Sequence, residues 1–205
     1  MSVTTGFSLP YVGKYSETGG TVSYTGGMKL GRGVDMSVEV ESADDNNFFA
    51  DNIVAESETG TMTSASATVT IDGLEDEAAQ FVLGLPTAQE VTVGEGKVEA
   101  YDYDNDLNPP YLGLGVIQRT MMNGVTKYRP ILFAKVKFSI PSDSWATSED
   151  QINWQTQALD VSVLRDDTAK RKWKRIFAQQ DTEAAAETIL KTVLGVVEAK
   201  REARA

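Results

Sequence analysis

From Ala65 to Ile71 the chain alternates: Ala65, Ala67, Val69 and Ile71 share one face, and Ser66, Thr68 and Thr70 the other. This is the pattern of a half-buried strand. The period then changes from two to that of a helix, placing Leu74, Ala78, Phe81, Val82 and Leu85 on one stripe. Asp72 stands where a carboxylate can accept from the first free N–H groups, and Glu75, Asp76 and Glu77 suit the positive end of the helix dipole. Gly84 reads as a left-handed stop, and Pro86 prevents continuation. The pattern predicts a strand feeding one short helix that packs on a sheet.

Before this stretch, Met1 to Gly20 shows no sustained period and predicts an extended arm whose Phe7, Tyr11 and Tyr15 dock on a surface. Thr21–Tyr24 and Met28–Leu30 flank Thr25-Gly26-Gly27, which reads as a hairpin turn. Val34, Met36, Val38 and Val40 alternate with Asp35, Ser37, Glu39 and Glu41, giving a strand with one core face and one acidic, wet face. Ser42 to Asn52 is rich in turn formers and predicts a loop in which one of Phe48 and Phe49 points inward and the other out. Ile53 to Thr63 extends it as a long excursion.

After the helix, Val91 to Tyr103 reads as one further strand, bent or bulged at Gly94 and Gly96. Asn123-Gly124 between Gly115–Met122 and Val125–Ile140 is the strongest hairpin signal in the chain. In its second arm Leu132, Ala134, Val136, Phe138 and Ile140 form one face. Lys135, Lys137 and Ser139 form the other, with Ile131 and Phe133. Ser142–Gln151 is a polar connector carrying Trp145. Asn153–Leu164 is a strand with Leu159, Val161 and Val163 inward, and Lys172–Phe177 a short basic strand containing Trp173. Thr182 caps a second helix with a stripe of Ala185, Ile189, Val193, Val196 and Val197, joined by Leu190 and Leu194. Glu183 and Glu187 come early in it, and Lys200, Arg201 and Arg204 late. Its apolar face requires a surface, either its own domain or a neighbouring subunit. The whole predicts a mainly β chain, a sandwich or barrel with one internal α-helix and an added C-terminal helix. Its parts are an arm at 1–20, a β domain at 21–178 with a long loop at 42–63, and a helix at 179–205.

Composition narrows the chemistry. With no Cys and no His, disulfides, thiolate metal sites, Ser–His–Asp triads and HExxH sites are excluded. No apolar run is long enough for a membrane span. Asp102, Asp104 and Asp106 have the spacing that begins a calcium loop, but Leu107 and Gly113 stand where Gly and Glu are needed, so an acidic turn is expected rather than a metal site. Neither a cofactor nor a catalytic residue is indicated. The formal charge is −11, from 19 basic and 30 acidic residues, and the signs are segregated. Gly33 to Gly96 contains no Lys or Arg but 14 Asp and Glu, whereas Lys170, Arg171, Lys172, Lys174 and Arg175 fall together. An acidic chain of this kind repels nucleic acid, which disfavours tight binding and suits a surface that DNA must slide past.

The words Gly19-Gly20-Thr21-Val22-Ser23-Tyr24, Asp44-Asp45-Asn46-Asn47-Phe48-Phe49-Ala50-Asp51-Asn52, Val69-Thr70-Ile71-Asp72-Gly73-Leu74 and Trp154-Gln155-Thr156, in this order, resemble the major tail proteins of long-tailed bacteriophages, the tail tube subunits. The resemblance spans roughly residues 5 to 178 and leaves out the last helix. It implies a β-sandwich whose copies close into hexameric rings by pairing sheets, the rings stacking into a hollow tube through which DNA passes during ejection. Thr4–Tyr15, Asp44–Glu58 and the segment from Lys170 onwards would join ring to ring. Asp35, Glu39 and Glu41 would face the lumen. Asp44, Asp45, Asn46, Asn47, Phe48, Phe49 and Asp51 would form the inter-ring loop, and the Lys170–Arg175 cluster would pair with an adjacent subunit. The implied partners are further copies of the chain, a tape measure protein, and tail terminator and distal tail proteins. The implied location is the virion, after synthesis in the host cytoplasm. Two other readings stay open. A carbohydrate-binding or adhesion module would stack sugars on Trp145, Trp154 or Trp173. A carboxylate-dependent hydrolase would need two acids about 5 to 9.5 Å apart across a cleft.

Overall fold

The computed structural model describes residues 2–94, 96–104, 107–142 and 155–197. The chain opens with β1 (Ser2–Thr18), β2 (Thr21–Lys29), β3 (Gly33–Ser42), β4 (Asn46–Ala50), β5 (Ile53–Glu58) and β6 (Met62–Ile71). Helix α1 (Asp76–Leu83) leads to β7 (Gln89–Val93), β8 (Gly96–Ala100), β9 (Leu112–Met122), β10 (Val125–Phe138), β11 (Gln157–Leu164) and β12 (Lys174–Ile176). Helix α2 (Glu183–Leu194) comes last. The architecture is mainly β with two helices, one internal and one C-terminal, as the periodicity predicts.

Seven strands form an antiparallel sheet in the order β2-β1-β9-β10-β11-β6-β3, and β12 adds to β10. The sheet curls until the ring of Phe7 on β1 lies against Gly33 at the start of β3. The Leu30 N–H, in the connector between β2 and β3, donates to the Pro10 carbonyl at 2.9 Å. Inside the curl sit Val69 and Ile71 of β6, Leu112 and Leu114 of β9, Phe133 and Phe138 of β10 and Leu159 of β11, with Val82 and Leu83 of α1. Burying such side chains contributes about 1.5–3 kcal/mol each.

The alternation of β6 holds: Ala65, Ala67, Val69 and Ile71 are buried. Gly84 ends α1 in the left-handed region at φ 69°. The helix caps otherwise than expected, however. Glu75 is the N-cap, without a side-chain bond, and Asp72 turns to the β2–β3 connector, accepting from the Arg32 N–H at 2.8 Å and pairing with its guanidinium at 3.1 Å. The buried stripe of α1 is Ala78, Ala79, Val82 and Leu83, with Phe81 and Leu74 only half covered.

Residues 1–20 are not an arm. Ser2–Thr18 is a strand inside the sheet, bonded to β9 on one side and β2 on the other. Its period is invisible because the register slips between Thr4 and Gly6 and again between Ser8 and Tyr11, where Leu9 takes a positive φ of 50°. Each slip exchanges the inward and outward faces of the strand beyond it. The turn joining β1 to β2 is Gly19-Gly20, at φ 59° and 79°. Gly26-Gly27 lies within β2, at a bulge opposite Gly13, and is no turn.

Asn123-Gly124 forms the expected turn, at φ 51° and 79°. Within β10 the expected faces are corrected by a bulge between Phe133 and Val136. Ile131 and Phe133 face the core before it, and Val136 and Phe138 after it. Leu132 faces the opposite side, under α2. The single strand expected over Val91–Tyr103 is the hairpin β7–β8, with Val91 directly opposite Val98. In β11, Leu159, Val161 and Val163 are buried as expected, but the strand begins at Gln157, and Trp145 and Trp154 lie outside the described residues.

Helix α2 folds onto its own domain. Thr182 caps it, the Thr182 Oγ1 accepting from the Ala185 N–H at 3.2 Å. The buried stripe is Ala186, Leu190 and Leu194, one position on from the Ala185-Ile189-Val193 line. Gly195 ends the helix at φ 66°; Lys200, Arg201 and Arg204 lie outside the described residues.

Candidate functional site

The outward face of β3, β6 and β11 is built from one rule applied three times: positions between the core residues carry acids, hydroxyls or Ala, with Leu164 at the end of β11 the exception. Pairing sets them in rows. Asp35 lies beside Thr70 and Ala158, Ser37 beside Thr68 and Asp160, and Glu39 beside Ser66 and Ser162. Glu41 lies beside Ser64 and accepts from its hydroxyl at 2.5 Å; Thr68 donates to Asp160 at 2.8 Å. Asp35, Glu39 and Glu41 are thus brought onto one exposed face, as the alternation of β3 predicts. Asp160, which the alternation of β3 alone does not reveal, adds a fourth carboxylate. Its signal lies in the wet positions of β11 once that strand is laid against β6. No Lys or Arg occurs in these three strands; at the margin of the face the next strand, β10, sets Lys137 beside Ser162 and Lys135 beside Leu164. β3 is the last strand of the sheet, and its outer edge has no strand partner among the described residues.

The β3–β6 ribbon continues past the sheet as a free hairpin, in place of the loop expected at Ser42–Asn52 and the excursion over Ile53–Thr63. β4 pairs with β5 around Asp51-Asn52, both at positive φ (51° and 64°). Two such residues make the type of turn whose twist matches a hairpin. At its root the Ala43 N–H donates to the Thr61 carbonyl at 2.9 Å, and the Gly60 N–H to the Asp45 carboxylate at 2.9 Å. Every residue of β4 and β5 is exposed, including Asn46 and Asn47. Phe48 and Phe49 are 65% and 63% exposed, so neither Phe turns inward. Ile53 and Val54 are exposed beside them.

The basic segment is displayed by a pinned loop. Asp166, buried, accepts from the Lys172 N–H at 2.8 Å and the Thr168 hydroxyl at 2.6 Å, while its own N–H donates to the Lys172 carbonyl at 2.7 Å. This leaves Lys170, Arg171 and Lys172 exposed at the rim. Lys174 differs: its ammonium lies 5.6 Å from the Phe133 ring centre and 5.7 Å from that of Trp173. Trp173 is half-buried against the core beneath it. Arg165, at the start of the loop, donates to the Met62 carbonyl at the root of the hairpin.

The opposite half of the sheet is closed by α2. Its Leu190 and Leu194 come down onto Gly115 of β9, where an added Cβ would lie 2.9–3.0 Å from their methyl carbons. The backbone of Leu194 passes as closely over Gly13 and Gly27. Tyr24 crosses two strands over Gly113 to donate to the Ala134 carbonyl at 2.7 Å. The Tyr11 hydroxyl donates to Glu187 at 2.5 Å, and Glu187 pairs with Lys191 at 3.1 Å. Burial, with the neighbouring carboxylate, pushes the Tyr11 phenol up to about 12, and its hydrogen bond holds the Glu187 carboxyl below its usual range. At the foot of β1, Lys135 holds the Asp167 carboxyl below its usual range by donating to it at 2.7 Å.

Two of the three segments expected to bridge copies are therefore used within one copy. Thr4–Tyr15 is sheet, and the chain after Lys170 supplies β12 and α2. Of the three segments, only the β4–β5 hairpin is exposed along its whole length.

No group of three or more acidic side chains placed to hold a metal ion occurs among the described residues; Asp106 lies outside them. No described helix is long and apolar enough to cross a membrane. The sequence matches no protein-family model, and no curated protein matches it.

Proposed function

We propose that this chain is a structural, non-enzymatic subunit that assembles with copies of itself into hexameric rings stacked as a hollow tube, a phage tail tube through which DNA passes. The observation that carries the reading is the wall of β3, β6 and β11: Asp35, Glu39, Glu41 and Asp160 stand in a field of Ser and Thr without a cation. Phosphates approaching such a wall meet repulsion and no cation on these three strands to hold them, so DNA slides without sticking. The open edge of β3 gives each copy a row of backbone groups for pairing with a neighbour, and an edge left bare on a long strand invites that pairing. The tape measure, terminator and distal tail proteins are the partners of such a tube, and the virion is its location.

Negative-stain electron microscopy of the concentrated chain tests this. Rings or hollow filaments are expected; compact particles without a bore, at every concentration and after seeding with sheared filaments of any assembled fraction, overturn it. A second readout addresses the wall. Asp35→Lys, Glu39→Lys and Glu41→Lys together should convert a protein that ignores duplex DNA in a mobility-shift assay at low salt into one that retains it. If the parent chain already retains DNA, the wall does not do what is proposed.

A further inference from the structure

We propose that residues 198–205 dock on their own copy, crossing the outer margin of β2 into the groove between β2 and α1, where their cations meet the acids of α1. The contact lies within one copy and stands whether or not copies assemble. The helix whose end Lys200, Arg201 and Arg204 would have served stops at Gly195, so these cations lie beyond it in the chain.

The end of α2 delivers the segment to this place. β2 is the end strand of the sheet, and its Gly27 N–H donates to the Gly195 carbonyl at 3.1 Å, with Val196 beside Gly27 in a parallel bridge. A Cβ on Gly27 would lie 2.8 Å from a Val196 methyl carbon, whereas one on Gly26 would lie 3.6 Å from the Phe81 ring of α1. The chain leaving α2 thus meets the sheet margin at a point with α1 on the far face. Eight extended residues reach about 26–29 Å, so the groove is well within range.

The groove has a volume of about 470 Å³, and Gly26, Met28, Glu77, Gln80, Phe81 and Pro110 line it. Met28 and Phe81 are only half covered by the core. Its walls differ in sign. On the helix wall Glu75, Asp76 and Glu77 are exposed, and none makes an ion pair among the described residues. The last turn of α1 carries no basic residue and ends at Gly84, also on the groove, so that pole of the helix has no cation of its own. On the sheet wall stand Lys14 and Lys29, exposed and likewise without an ion pair among the described residues. The segment is mixed in the same way: Lys200, Arg201 and Arg204 suit the helix wall, Glu198 and Glu202 the sheet wall. An arginine stem laid along Phe81 covers its ring, with the guanidinium reaching Glu77. With the segment across it, the β2 end of the sheet is denied to other strands, and the end at β3 is left bare.

The test is carbodiimide coupling of carboxylates to lysines in an equal mixture of unlabelled and nitrogen-15 chains, read by mass spectrometry. Lys200 should link to Glu75, Asp76 or Glu77 in single-isotope pairs, to the same extent on dilution, the links fading at about 0.5 M salt as screening sets in. Mixed-isotope links, links from Lys200 to other carboxylates alone, or no links from it overturn the proposal. Methionine methyl NMR of the dilute full chain, assigned through Met28→Leu, gives the second measurement. Lys200→Glu with Arg201→Glu and Arg204→Glu should shift the Met28 signal. Met121 and Met122, at the far end of β9, should keep theirs and so report that the fold is intact. A Met28 signal unmoved by the triple substitution overturns the docking.

Discussion

Over β1, β2, β9 and β10 the outward face of the sheet is closed by Leu190 and Leu194 settling onto Gly13, Gly27 and Gly115, whereas over β3, β6 and β11 the same face is left wet and ends in an uncovered hairpin. One sheet thus carries two kinds of surface, and the difference lies in side-chain size between the core positions. Glycine there admits a helix at backbone distance; Ser, Thr and acids keep water. Both halves share the core inside the curl; the closed half adds a second buried layer under α2, and the bare half leaves its outer surface free.

The largest effects should come from emptying the closed half. Leu190→Ala or Leu194→Ala removes a fully buried side chain and should cost about 2–5 kcal/mol in urea denaturation. Ser66→Ala and Ser162→Ala, outward on the bare half, should stay within about 0.5 kcal/mol. If both pairs cost the same, the two halves are not finished differently. Next comes Gly115→Val, which forces branched carbons into the Leu190 and Leu194 methyls and should cost about 1–3 kcal/mol, with α2 loosening first in hydrogen exchange.

Smaller is Tyr11→Phe, which leaves Glu187 without its phenol and should cost about 0.5–1.5 kcal/mol. Its pH signature is directional. The Tyr11 phenol has its folded value raised from 10.0 to about 12, so its stabilisation is full below pH 10 and disappears as the pH climbs towards 12. The Glu187 carboxyl has its folded value lowered from 4.5, so its stabilisation is present above that value and is lost as the pH falls through the lower one. Thermal melts of Tyr11→Phe should show a flatter alkaline limb than the parent. Smallest in stability, and largest in association, is Phe48→Ser with Phe49→Ser. Melting should shift by the equivalent of about 0.5 kcal/mol or less, while sedimentation shows self-association lost.

Elements whose alternation runs unbroken are legible from sequence: β6, β11 and the turn at Asn123-Gly124; in β3 the expected inward face holds only for Met36 and Val38, since Val34, beside a bulge, and Val40 are exposed. The acidic face of β3 is legible too, because a period of two assigns faces directly. Legibility fails wherever register slips. β1 looks aperiodic because slips around Thr4 and Leu9 reverse its faces, and Gly26-Gly27 looks like a turn although it sits in a bulge. The glycines under α2 mislead for a related reason: a residue without a side chain signals a bend or a close approach equally, and only the helix above tells which. The Asp44–Asn52 stretch looks like a loop because a hairpin wet on both faces has no buried face to impose alternation.

The bulge of β10 between Phe133 and Val136 gives that strand a counting constraint. Upstream of it the odd positions Ile131 and Phe133 point inward; downstream the even positions Val136 and Phe138 do. Removing one residue from Ala134-Lys135 would restore a regular pleat with Ile131, Phe133, Val136 and Phe138 all still inward, at the loss of the kink and added twist that the bulge gives the strand. One residue removed elsewhere in the strand, with the bulge kept, would instead turn the residues beyond it to the opposite face.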